Sequence, residues 1–251
     1  MTPWAPWGVT LPIMLVAAAV CPCPPLLVPE VAAGAAPELD AARTACADAL
    51  GLLAAARPDL LVVVAPADET GPVRYAQGTP GSFSGFGVDR EVTLGPAAEG
   101  GAAAGTLPPS LAVAGWLLER AGWADAPIEG LTVGEPLTAE RCIQVGSDIA
   151  ARAERVALLV MGDASACRTV KAPGYLDERA EPFDAQVARA LGSADLAALK
   201  ELDAGLAHEL KVSGRAPWQV LAGAAEGADL SGTLLYEDAP YGVGYLVATW
   251  S

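Results

Sequence analysis

The sequence predicts a single α/β domain over residues 13–251, built as three layers around a mixed, largely parallel central sheet. Three observations lead there. Three short and almost unbroken apolar runs, Ile13 to Val20, Asp59 to Pro66 and Arg155 to Met161, read as strands buried on both faces. Segments with helical spacing lie between the runs, and this alternation of strand and helix builds parallel sheets with right-handed crossovers. No shift in composition divides the chain, and 251 residues suffice for one full core without staples.

Taken in order, Ile13 to Val20 runs into Cys21-Pro22-Cys23-Pro24-Pro25. Prolines end a buried strand abruptly and leave two thiols just past its C-terminal end. Pro37-Glu38-Leu39 opens a helix with proline and acid in its first turn. Leu39, Cys46, Leu50 and Leu53 form its apolar stripe as far as Ala56, which makes Cys46 a core thiol. Asp59 to Pro66 is the second strand, again stopped by proline, with Ala67-Asp68-Glu69-Thr70 at its edge. Gly71 to Gly87 reads as loop. Val88 to Leu94 alternates apolar and polar residues, as a half-exposed edge or antiparallel strand does.

Gly95 to Gly105 is a Gly/Ala-rich loop without the Lys-Ser/Thr of a phosphate loop. Pro108-Pro109-Ser110 opens a helix through Ala121. Ile128 to Val133 is a short strand, and Thr138 caps a helix that turns Cys142, Val145 and Ile149 to the core. The third buried strand stops at Gly162-Asp163-Ala164-Ser165-Ala166-Cys167. A turn-rich loop, Lys171 to Tyr175, leads to a helix around Phe183, Val187 and Leu191. Ser193 and Asp203 read as caps of two short helices, the second carrying His208, the sole histidine. A helix near Trp218 to Ala225 precedes two closing strands, Thr233 to Glu237 and Val243 to Trp250. Residues 1–12 have neither period and read as a loose tail, with Met14 an alternative start.

The net charge of −15, from 30 acidic and 15 basic residues, argues against nucleic acid and anionic membrane surfaces as partners. Met1 to Val20 contains no Lys or Arg, so the basic segment of a secretory signal is missing. The apolar run is too short to span a bilayer. Five cysteines, an odd number in a long chain, do not suggest a disulfide framework; a cytoplasmic protein is expected.

Loops that follow parallel strands gather at one sheet edge, where open α/β sheets bind ligands. Cys23, Asp163 and Ser165 are therefore candidate ligand contacts, although Asp163 and Ser165 also suit turn caps. Arg168 and Lys171 add positive charge suited to a small anionic ligand. Tyr241, in the closing turn, is a candidate for the pocket wall. A Cys21/Cys23 pair with Asp68, Asp163 or Glu237 offers thiolate and carboxylate donors for Zn(II) or Cu(I).

The succession CPCPPLLVPE, DLLVVVAP, LLVMGDASACRTVKAPGYLDERAEPFD and LLYEDAPYGVGYLVATW resembles actinobacterial proteins of the class III extradiol ring-cleavage dioxygenase-like group, over nearly the whole chain after Pro12. The resemblance implies an α/β domain around a mixed sheet. It also implies Fe(II) held by two histidines and a glutamate, with a further histidine for acid–base work. Imidazole and carboxylate leave open positions on iron for catechol and oxygen, and histidine moves the catechol proton near neutral pH. At the matching positions this chain has Cys23, Ala67 and Ala166 in place of histidines, and Glu237 loosely matches the glutamate. One histidine cannot supply a two-histidine iron site within one chain, and His208 is expected away from these edges. The similar Memo proteins look like a branch where thiol joins imidazole around a metal.

The expected function is that of a divergent member of this superfamily that lacks the two-histidine Fe(II) site. It would bind a small, anionic ligand or a partner at the C-terminal edge of the sheet. The alternative is a non-haem metal-dependent, dioxygenase-like oxidoreductase, with Fe, Zn or Cu in an altered centre on Cys23 and acidic residues.

Overall fold

The computed structural model describes residues 14–96 and 105–251. The expected tail at 1–12, Ile13 and most of the Gly/Ala-rich loop lie outside the described residues. The first strand is β1 (Met14–Cys21), and its apolar run is wholly buried after Val16. A 3-10 turn at Pro25–Leu27, α1 (Pro29–Ala32) and a second 3-10 segment, Ala33–Leu39, lead into α2 (Asp40–Ala55). Pro37 thus lies in the 3-10 segment before the helix and not in the helix's first turn. β2 (Leu60–Ala67) follows, one residue later than the apolar pattern suggests at each end.

Two strands arise where the sequence reads as loop, β3 (Val73–Ala76) and β4 (Pro80–Ser82). The alternating run from Val88 to Leu94 forms a strand only at β5 (Glu91–Thr93), which pairs with β4 in a separate two-stranded sheet. Alternation reports a half-buried face, and here that face is the single residue Val92 between exposed neighbours.

α3 (Pro109–Ala121), β6 (Ile128–Gly134), α4 (Ala139–Ala150) and β7 (Arg155–Met161) come next. Thr138 caps α4 as expected, accepting the Arg141 N–H. α5 (Ala180–Ser193) ends at the residue expected to cap the next helix. Asp195 does that work instead, accepting the Ala198 N–H at 3.0 Å at the start of α6 (Leu196–Lys200). Asp203 caps α7 (Ala204–Glu209) by accepting the Leu206 N–H at 2.9 Å. α8 (Arg215–Ala224), β8 (Gly232–Asp238) and β9 (Tyr245–Trp250) complete the chain.

Seven strands form the main sheet in the order β3-β6-β2-β7-β1-β9-β8. β6, β2, β7 and β1 are mutually parallel, and β3, β9 and β8 are antiparallel additions at the flanks. The sheet is therefore mixed and largely parallel, with helices on both faces, as the sequence predicts. Leu15, Ala18 and Val20 face one helical layer, and Ala17, Ala19 and Cys21 face the other. A register irregularity between Leu15 and Ala17 accounts for the break in strict alternation.

α2 and α3 cover one face, while α4, α5 and α8 cover the other. The chain steps outward from β1 through β2 to β6 with α2 and α3 on one side. It then reverses and returns to β7 with α4 on the other side. Such a reversal opens a crevice beyond the C-terminal ends of the strands.

α4 and α8 pack backbone to backbone. A Cβ on Gly146 would meet the Val220 carbonyl, and one on Gly223 would meet the backbone of Ile143, so only glycine permits this approach. No helix among the described residues is long and apolar enough to cross a membrane.

Candidate functional site

A cleft of about 1200 Å³ opens at the C-terminal ends of the parallel strands. Cys23, just past β1, lies on its floor with Ser213. Pro66, Ala67, Asp68 and Glu69, from the end of β2, form one wall. Glu135 to Thr138, between β6 and α4, form another, and α7 contributes Ala204, Gly205 and His208. The N-terminal turn of α3 closes the rim, tied to β2 by the Ser110 hydroxyl, which donates to the Pro66 carbonyl at 2.6 Å. The crevice predicted by the strand order is thus real and roomy enough for a small organic molecule.

Behind the floor, Cys23 and Asp163 are joined. The Cys23 N–H donates to Asp163 Oδ1 at 2.8 Å, and the Asp163 N–H donates to Ser213 Oγ at 3.0 Å. Asp163 gains only that neutral N–H in return for its loss of water, so burial raises its carboxyl from 3.8 to about 7. Burial and the nearby Asp163 charge both push the Cys23 thiol upward, while Ser213 opposes them. The thiol therefore stays protonated near neutral pH, which disfavours a nucleophilic role. Burial and then Asp163 raise the Tyr245 hydroxyl as well.

The β6–α4 wall is set by a cation the sequence reading overlooked. Arg215, fully buried at the start of α8, donates from Nε to Glu135 Oε2 at 3.2 Å and from Nη1 to the Leu137 carbonyl at 2.8 Å. It also reaches the Glu135 carbonyl and Gln219 Oε1. A planar guanidinium can hold a carboxylate and two carbonyls at once. Glu135 is thereby fixed in the cleft wall; burial raises its carboxyl, opposed chiefly by Arg215 and more weakly by His208.

His208 lies on the cleft rim, contrary to the expectation that it stands away from the strand edges. It is exposed on α7, as a surface helix residue would be, but α7 itself packs over the crevice. Glu135 could have been found in the sequence: Gly134-Glu135-Pro136 repeats the strand-then-proline stop of β1 and β2. Arg215 and Ser213 carry no such sign.

Of the expected ligand contacts, Cys23 lines the cleft and Asp163 supports it from behind. The others are occupied or elsewhere. Ser165 is fully buried and satisfies Asp184 through both its N–H and its hydroxyl, each at 2.8 Å. Arg168 completes that cluster, 3.2 Å from Asp184 Oδ2, so its charge is neutralised inside the fold. Lys171 is exposed and is not part of the cleft lining. Tyr241 sits beside Glu38 and Arg43, off the cleft wall.

The metal-ligand set of Cys21, Cys23, Asp68 and Glu237 does not assemble. Cys21 is fully buried beneath the sheet and neighbours Cys46 of α2. Glu237, on β8, borders a shallow depression with Arg168 and Thr169, apart from the cleft. Asp68 alone shares the cleft with Cys23. Among the described residues, no three His, Cys, Asp or Glu side chains converge in a metal-binding arrangement. The donors implied for Fe(II) fare no better: Ala67 stands in the cleft wall, and Ala166 is engaged through its N–H with the Leu210 carbonyl. The residues present do not fit a two-histidine iron centre.

No protein-family model matches the chain. No curated protein matches it either. Among solved structures, it is similar to an uncharacterized protein, JW3007, from Escherichia coli K12. The likeness has a TM-score of 0.54 at 15% identity and covers 94% of this chain and 99% of that one. At that identity the likeness concerns the fold, a mixed α/β sheet flanked on both faces by helices.

Proposed function

We propose that the chain is a divergent member of the class III extradiol ring-cleavage dioxygenase-like superfamily that binds a small organic ligand in the crevice beyond β1, β2 and β6. The observation that carries this reading is the cleft itself, with Glu135 held in its wall by the buried Arg215. Holding a polar group in place before binding lowers the ordering cost of recognition. The cleft lining contains Asp68, Glu69, Glu135 and Glu140 and no Lys or Arg. Such a wall accepts hydrogen bonds and favours hydroxyl or ammonium groups over the anionic ligand that Arg168 and Lys171 suggested. The residues do not support an iron dioxygenase reaction, so the inheritance is of site position.

Ligand-observed and protein-observed NMR with size-matched amines, polyols and carboxylates tests the reading. Amines or polyols should shift the Glu135, His208 and Ser213 resonances saturably, and Glu135→Gln should weaken them about tenfold. Carboxylates should leave those resonances unmoved. Binding of carboxylates alone at these positions would overturn the assignment of ligand class. Silence across all three classes would overturn the binding reading.

A further inference from the structure

A second cavity, of about 110 Å³, lies between α4 and the sheet near the β3 flank, separate from the cleft. Its floor is apolar: Val62, Leu131, Val145 and Ile149, each at most 7% exposed. Its mouth is cationic. Arg74 from β3, Arg141 from α4 and Arg152 after α4 all line it. Arg141, Val145, Asp148 and Ile149 follow the helical spacing that puts them on one face of α4.

The charges there are unevenly matched. Arg152 is committed to Glu129 through both terminal nitrogens. Asp148 accepts the Gln144 side-chain N–H at 2.8 Å. Arg74 and Arg141 have no ion-pair partner among the described residues. In a chain with twice as many acidic as basic residues, three guanidiniums facing two carboxylates make a local inversion of sign. Guanidinium presents paired N–H groups to a carboxylate, and the floor beneath is suited to hydrocarbon.

We propose that this cavity binds a compact amphiphilic carboxylate, with its short carbon chain on Val62, Leu131, Val145 and Ile149 and its carboxylate between Arg74 and Arg141. The proposal is independent of the ligand assigned to the cleft. Both cations are exposed and lie outside the core, so their replacement by Gln leaves the fold intact.

Butyrate, acetate and inorganic phosphate titrated into the full chain, read on the Val145 and Ile149 methyl resonances, test it. Butyrate should bind saturably at one site, about tenfold tighter than acetate because of its two further methylenes. Arg74→Gln and Arg141→Gln should each weaken butyrate by about tenfold or more, and Glu135→Gln in the cleft should leave it unchanged. No saturable shift with butyrate would overturn the proposal. So would equal binding of butyrate, acetate and phosphate, which would mean charge attraction alone. Indifference to both arginine replacements, or loss of binding in Glu135→Gln, would overturn it as well.

Discussion

Asp163 should make stability fall as pH rises, in the direction opposite to that of a salt-bridged carboxylate. Its carboxyl lies behind Cys23, accepts one backbone N–H and titrates at about 7 in place of 3.8. Between those values the folded chain holds a proton that the unfolded chain has released. Stability is thus fully present below about pH 4 and declines until about pH 7, where the folded group also ionises. At 1.36 kcal/mol per pKa unit, the full shift corresponds to a ceiling of about 4 kcal/mol. The carboxyl keeps some contact with water, which reduces the expected effect to about 2 kcal/mol. Asp163→Asn preserves an oxygen for the Cys23 N–H and removes the charge at every pH. Urea unfolding should show the two proteins equal at about pH 4.5, with the variant more stable by about 2 kcal/mol at pH 8. Glu135 and Asp184 are also raised by burial, but both proteins carry them, so the difference isolates Asp163. A difference between the two proteins that stays constant across this range would refute the reasoning.

Other consequences are equally open to measurement. Arg215→Met should destabilise the chain by about 3–5 kcal/mol in denaturant unfolding, because it strands Glu135 and two carbonyls; adding Glu135→Leu should recover part of that loss. Asp184→Ala should cost about 3 kcal/mol by leaving the Arg168 and Ser165 groups without their acceptor, seen as a lowered urea midpoint. Gly146→Ala should cost about 1–3 kcal/mol through forced separation of α4 and α8. Metal analysis of anaerobically purified protein should find no Fe, Zn or Cu equivalent that disappears in Cys23→Ala; one equivalent lost in that variant would restore the altered-centre alternative.

The parallel core was legible because burial on both faces leaves a plain mark: Leu61 to Ala65 and Val156 to Met161 are continuous apolar runs. The prolines after β1 and β2 also marked where the cleft would open. β3 and β4 were not legible, since Val73 to Ala76 is mostly exposed and Pro80 to Ser82 contains proline and glycine. Strand formation there depends on partners distant in sequence. The site was read in part. Cys23 and Asp68 follow strand ends, and topology alone brings them together. Arg168 misled because its partner, Asp184, lies a helix away, and charge in a sequence does not reveal whether it is already neutralised. Arg215 was missed for the converse reason: nothing local shows that an arginine before Ala216-Pro217-Trp218 will be wholly enclosed.

The glycine contact between α4 and α8 governs how this crevice can diversify. With Gly146 seated on Val220 and Gly223 on Ile143, the two helices behave as one slab, and Arg215 fastens the β6 loop to its leading edge. Neither helix can slide or roll without prising the other. Lineages that share this slab would inherit an immobile rear wall and would retune selectivity by exchanging side chains on α7 and the β2 exit.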